Sequence, residues 1–178
     1  MENKLPQRHS PRLKNYNYSH PGSYFVTVCA HEKRPLFSEI VPPSCHGSEG
    51  RGSSSVTVKL TEVGKVVEEA ILAVKPVYSN VTIPYYVIMP DHIHLIIDIV
   101  SGQSEKDQSV SDIVRYIKIL VTHKAKGMTG LDKIFHRSFF DRVIRSEAEY
   151  EDTRDYILNN PATRYFKEHP RKPISCDE

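Results

Sequence analysis

NVTIPYYVIMPDHIHLIIDI, residues 80–99, is the stretch on which the architecture turns. Two runs rich in β-branched and aromatic residues flank Met89-Pro90-Asp91. The pattern predicts two strands joined by a turn, with a bulge or strand edge at Pro90 as the other reading. Strand side chains alternate between faces. In the second run Ile93, Leu95, Ile97 and Ile99 therefore share one face, and His92 and His94 share the other. The apolar face is complete without the histidines, and Asp98 lies on the histidine side, further along.

Working outward, GSYFVTVCA (22–30) follows a Pro-Gly pair and reads as a strand. Residues 61–75 open with Thr61, a possible N-cap. Val63, Val66, Val67, Ala70, Ile71 and Val74 then recur at helical spacing. VSDIVRYIKILVTHKAK (110–126) predicts a second helix, with Ser111 as its cap, and SFFDRVI (138–144) a further strand. In 146–160, Ser146 and Glu149 form a capping box and Pro161 marks the end of the helix. Residues 42–55 and 101–109 are Ser-, Gly- and polar-rich loops. The order β-α-β-β-α-β plus a helix predicts an α+β, ferredoxin-like antiparallel sheet with helices mainly on one face. That plan leaves the second sheet face partly uncovered, where a site has room. The chain divides into an irregular arm (1–21), one domain (22–162) and a tail (163–178).

The chain has 178 residues, 39% hydrophobic and 26% charged, which suits one globular domain. No apolar run approaches the roughly 20 residues that cross a bilayer, and no apolar segment follows Met1. Three cysteines with no CxxC spacing exclude a disulfide framework and suit a reducing cytoplasm. The net charge is only +2, but residues 115–145 hold eight basic side chains against Asp132 and Asp141. Lys4, Arg8, Arg12 and Lys14 add a smaller basic group. Such a stripe is either a solvated helix face or a footprint for phosphates.

Two imidazoles at i and i+2 on one strand face make a two-point clamp for a metal ion; the alternative is a half-wet strand without metal. On the last helix Tyr150, Thr153 and Ile157 form a packing stripe. Tyr156 falls off it, among polar neighbours, and so is displayed. Asn160 lies one turn beyond Tyr156. Two nitrogens and an amide oxygen would leave positions open on a divalent ion that grips a phosphate. The Tyr156 hydroxyl is then placed to attack phosphorus. A free phenol, with a pKa of about 10, is a poor nucleophile unless its proton is removed. No base is evident.

PDHIHLII resembles the His-hydrophobic-His (HUH) motif of the single-tyrosine transposases. YILNNP resembles the tyrosine-helix signature of their REP-associated branch. RHSPRLKNYNYSHPGSYFVTVCAHEKRPLFSEI and IFHRSFFDRVIRSEAEYEDTRDYILNNPA resemble that branch's amino- and carboxy-terminal segments, so the likeness spans most of residues 8–162 in order. Phe135-His136 and Asp141-Arg142 depart from the Trp-Gln and Asp-His common in relatives.

The resemblance implies a transposase that cuts single-stranded DNA at imperfect palindromes or hairpins and rejoins strands through a 5′-phosphotyrosine. It makes Tyr156 the nucleophile, His92, His94 and Asn160 the metal ligands, and Mg²⁺ or Mn²⁺ the ion. Through the PGSYF segment it assigns Tyr24 to DNA recognition. Arg115, Lys118, Arg137, Arg142 and Arg145 become candidates for the DNA backbone, and Phe139, Phe140 or Tyr116 for base stacking. Tyr150, six residues before Tyr156, is about 240° around the helix, which argues against a two-tyrosine enzyme. A nucleoid-associated, cytoplasmic protein follows, as monomer or homodimer. Two alternatives remain: a non-catalytic nucleic-acid-binding module on this fold, and a small metal hydrolase that uses water.

Overall fold

The computed structural model describes residues 20–42, 56–101 and 108–170, so Lys4, Arg8, Arg12 and Lys14 and most of the two polar loops lie outside the described residues. In chain order the elements are β1 (Gly22–Cys29), β2 (Ser38–Val41), β3 (Thr57–Leu60), α1 (Glu62–Leu72), α2 (Val74–Val77), β4 (Val81–Ile88), β5 (His92–Ile99), α3 (Val110–Thr129), β6 (Phe140–Ile144) and α4 (Glu147–Glu168). The main sheet has the order β4-β5-β1-β6, and every neighbouring pair is antiparallel. The doubled βαβ plan expected from the sequence is therefore present. The short β2–β3 pair was not anticipated. Pro84 falls at the register shift between Thr82 and Tyr85, on the sheet's edge strand, where a missing N–H is tolerated.

Alternation along β5 splits the interior in two. Ile93, Leu95, Ile97 and Ile99 pack with Tyr24, Val26 and Val28 of β1 against Val67 and Ile71 of α1 and Ile113, Ile117 and Val121 of α3. On the other face Phe25, Ile96, Ile144 and Ile157 form a second, smaller core beneath α4. Helices thus cover both faces, α4 alone on the second. Among the described residues no helix is long and apolar enough to cross a membrane.

Local chemistry explains where the helices start. Thr61 caps α1: its hydroxyl accepts from the Gly64 N–H at 3.0 Å and donates to the Leu36 carbonyl at 2.6 Å. Glycine is required at 64, because a Cβ there would lie 1.9 Å from the Phe37 carbonyl oxygen. The cap of α3 is Ser109, not Ser111. Its Oγ accepts the Asp112 N–H at 3.3 Å, and the Asp112 carboxylate accepts the Ser109 N–H at 3.2 Å. That reciprocal pair satisfies two donors the helix leaves open, which Ser111, already inside the helix, could not.

The expected end of the last helix is also corrected. α4 runs through Pro161 to Glu168. Proline removes one backbone bond and crowds the preceding turn. Pro161 is buried, however, and the turn beyond it is held by side chains: Arg164 Nε donates to Glu168 at 2.8 Å and Arg164 pairs with Asp91. The second core is small, so it is sensitive. Ile157→Ala should cost about 2–5 kcal/mol, the usual range for a buried large-to-small change. Equilibrium denaturation checks this, and a loss under 1 kcal/mol would show that α4 is not held to the sheet by Ile157.

Candidate active site

Tight backbone anchoring sets up the strand that carries the histidines. Met89 N–H donates to the His92 carbonyl at 2.9 Å, closing the β4–β5 turn. The Pro90 carbonyl accepts from Phe37 N–H at 3.0 Å and the Asp91 carbonyl from Ala30 N–H at 2.9 Å. In the register of β1 on β5, Thr27 lies opposite His94.

The two imidazoles converge. His92 Nε2 and His94 Nε2 are 3.1 Å apart, and each Nδ1 is tied down from behind. His92 Nδ1–H donates to Asp91 Oδ1 at 2.8 Å, and His94 Nδ1 bonds Thr27 Oγ1 at 2.9 Å. Because His92 carries its proton on Nδ1, its Nε2 accepts from His94 Nε2–H. The Thr27 hydroxyl then donates to His94 Nδ1. A hydroxyl also accepts, so rotating Thr27 lets His94 move its proton to Nδ1 and frees both Nε2 lone pairs together. Outer partners of this kind orient metal-bound imidazoles.

Electrostatics agree with that role. Burial pushes the His94 imidazole down to about 3, and neighbouring His92 adds to the shift, so the ring stays neutral as a ligand must. Burial opposes charge on Asp91. The hydrogen bonds from His92 and Arg164 outweigh it and hold the carboxyl below the usual range.

Tyr156 stands over the pair from α4. Its hydroxyl is 3.5 Å from His94 Nε2, and the ring is 52% exposed. Phe25 forms the apolar floor: it stacks on His94 with centroids 5.2 Å apart and meets Tyr156 edge-on at 5.9 Å. His92, Tyr156, Asn160, Thr163, Arg164, Lys167 and Glu168 line one open cleft of about 470 Å³. One cleft thus holds four of the residues expected at the site, counting His94 beneath Tyr156. Among the described residues no group of three or more His, Cys, Asp or Glu side chains is arranged to hold a metal. The donor set here is two imidazoles with an amide and a phenol on the same cleft, and converging Nε2 atoms fit a divalent ion that accepts nitrogen. Imidazole suits Mn²⁺ better than Mg²⁺, which prefers oxygen.

Tyr150 is set apart from this chemistry. Its hydroxyl donates to Asp98 Oδ2 at 3.1 Å, and burial together with the Asp98 charge pushes the phenol up to about 12.

The candidate DNA contacts divide between the two sides of the sheet. Arg142 and Arg145 lie on or beside β6. Arg142 sits over the Phe25 ring at 5.8 Å, bonds Thr153 Oγ1 at 3.2 Å and approaches Glu149 at 3.4 Å. Phe140 lies opposite Thr27 and is 44% exposed, so it reaches solvent on the histidine face. Arg115 and Arg137 instead flank a groove of about 550 Å³ on α3, with Val114, Ile119 and Phe139. Phe139 and Tyr116 pack against the main core.

Two of the expected DNA contacts have partners within the fold. Lys118 lines the same groove as Arg115 and Arg137; its ammonium donates to the carbonyls of His136, Arg137 and Ser138 at 2.8, 3.3 and 3.3 Å, and burial lowers its pKa. Tyr24 is wholly buried in the main core, with its hydroxyl donating to the His20 carbonyl at 2.7 Å. That bond ties β1 to the residues just before it. Sequence reasoning missed Thr27, Phe25 and Arg164. The first two become visible only through strand register, and Arg164 lay past the proline taken as a helix end. Asp91 was visible in PDHIH, directly before the histidine it orients.

No family model matches the chain. An uncharacterized protein of Haemophilus influenzae is 29% identical over 174 residues, covering 88% of this chain and 89% of its own. Among solved structures, a REP-associated tyrosine transposase bound to a REP hairpin superposes with a TM-score of 0.60 at 23% identity, covering 86% of this chain and 74% of that one. The chain has the fold of that transposase.

The Thr27 bond yields a test independent of any nucleic acid. Thr27→Val keeps the shape and removes the hydroxyl that bonds His94 Nδ1. Mn²⁺ affinity, read by electron paramagnetic resonance, should fall roughly 10–100-fold, the range for outer-shell changes. Unchanged affinity would mean that Thr27 does not set the ring.

Proposed function

We propose that this chain is a DNA strand transferase that cuts single-stranded DNA beside a hairpin, with Tyr156 as nucleophile. The observation that carries the reading is the meeting of the Tyr156 hydroxyl with the paired histidine nitrogens, 3.5 Å and 3.1 Å along one line of contacts. A phenol half in solvent, above two oriented imidazoles and beside an amide, is an arrangement for attack on a phosphodiester.

His92, His94 and Asn160 would hold a divalent ion, Mg²⁺ or Mn²⁺. When bound, such an ion supplies Lewis-acid polarisation of the scissile phosphate and charge stabilisation during displacement. The chain's own residues do the rest. Tyr156 gives its proton to solvent water through its exposed edge and bonds phosphorus through its phenolic oxygen. The bond from phosphorus to the 3′ oxygen breaks, and that oxygen leaves as a 3′ hydroxyl after taking a proton. The 5′ phosphate remains on Tyr156. Attack by a 3′ hydroxyl on this ester reverses the step and joins strands. Phe25 keeps the floor apolar. Arg142 and exposed Phe140 offer charge and a stacking ring on the same face, Arg145 adds a cation just past β6, and Arg115 and Arg137 offer a second basic surface behind it. Tyr156 lies beside the histidines of its own chain, its hydroxyl 3.5 Å from His94 Nε2.

A single incubation tests the reading. The full chain is mixed with end-labelled hairpin DNA carrying a single-stranded flank and Mn²⁺, then run on a denaturing gel. A covalent protein–DNA band is expected from the native chain and should vanish in Tyr156→Phe. DNA binding without adduct under varied metal and flank would favour a binding module, and cleavage that survives Tyr156→Phe would favour hydrolysis by water.

A further inference from the structure

Asp91 Oδ1 has two donors, and they come from different elements. His92 Nδ1–H approaches it at 2.8 Å, and Arg164 on α4 pairs with the same oxygen. We propose that Arg164 is a positioning residue for the histidine pair: by holding Asp91 it fixes the His92 tautomer and ring direction, and it ties the helix of Tyr156 to the strand of the histidines. This rests on the assignment of His92 and His94 as a ligand pair.

Helix geometry gives Arg164 this reach. Tyr156, Asn160 and Arg164 recur every four residues on one face of α4 and line the same cleft. At 1.5 Å per residue, Arg164 stands about 12 Å along the axis from Tyr156. Pro161 lies between them and has no N–H to give the Ile157 carbonyl, so the helix is weakest between nucleophile and arginine. A tie at 164 compensates by holding the far half against the turn that opens β5. Glu168 takes Arg164 Nε at 2.8 Å and leaves the other end of the guanidinium for Asp91.

On the Asp91 side the main chain is already fixed, since its carbonyl accepts the Ala30 N–H at 2.9 Å. What remains free is the carboxylate rotamer. With both donors present, the oxygen sits where His92 must keep its proton on Nδ1 and turn Nε2 toward His94. Without Arg164, water competes for that oxygen and the ring loses its fixed partner. Arg164 also lines the cleft, where a phosphate contact alone would explain a cation. The two roles separate experimentally, because a contact with DNA leaves the DNA-free protein unchanged.

Two readouts on the full chain, free of DNA, decide between them. Long-range proton–nitrogen NMR correlations on ¹⁵N-histidine-labelled protein report the His92 tautomer, assigned against His92→Gln. Electron paramagnetic resonance reports Mn²⁺ affinity. The native chain should show His92 as the Nδ1–H form. Arg164→Ala should give a mixture of tautomers and a tenfold or greater loss of Mn²⁺ affinity, within the outer-shell range. Arg164→Lys keeps a cation for Asp91 and should restore the tautomer and most of the affinity. The proposal is overturned if Arg164→Ala leaves both readouts at native values, or if Arg164→Lys is as impaired as Arg164→Ala. Failure of the native chain to take up Mn²⁺ would refute the ligand pair and the proposed function, while the tautomer would still report whether Arg164 positions His92.

Discussion

The register of β5 against β1 is the constraint on which the rest depends. Ile93, Leu95, Ile97 and Ile99 are nearly fully buried on the α1–α3 side. Shifting that strand by one residue would drive them to the opposite face and place imidazoles in the main core. Burial of four branched aliphatic side chains, each worth about 1.5–3 kcal/mol, therefore forces His92 and His94 outward as a pair. The same register puts Thr27 opposite His94, so the strand that fills the core also supplies the partner that orients the ring.

The second constraint is the landing of α4. Ile157 anchors it in the small core with Phe25, Ile96 and Ile144. Tyr156, the preceding residue, is rotated by about 100° and emerges at the edge of the contact, over the histidines. Anchor and proposed nucleophile are sequence neighbours, so the placement of the hydroxyl is set by packing directly beside it. A hydrophobic floor beneath and an open cleft above give the phenol a dry side and a wet side, as the proposed attack on a phosphate requires.

Much of this was legible in the residues, and the pieces that were not share a physical cause. Period-two alternation in HIHLIIDI identified both the core face and the histidine pair, and the displayed position of Tyr156 followed from its polar neighbours at helical spacing. These are local patterns. The helix end at Pro161 was misjudged because a local rule was outweighed by distant partners: Pro161 is buried and Arg164 reaches Asp91, 73 residues earlier in the chain. Tyr24 was assigned to DNA by likeness of motif, whereas alternation in β1 sends it, with Val26 and Val28, into the core. The basic stripe looked continuous in sequence, but strand and helix geometry sends Arg115 and Arg137 to one side of the sheet and Arg142 to the other. Lys118 shows the same limit, since three loop carbonyls gathered in space use its charge.

The central claim is that two imidazoles from β5 act as one ligand pair beneath Tyr156. Anomalous diffraction at the manganese edge, from crystals of the full chain soaked in Mn²⁺, tests it most directly. A single strong peak is predicted roughly 2 Å from Nε2 of both His92 and His94, inside the cleft shared with Asn160. A manganese site elsewhere with no density between the two rings, or one that engages neither Nε2, would contradict the account.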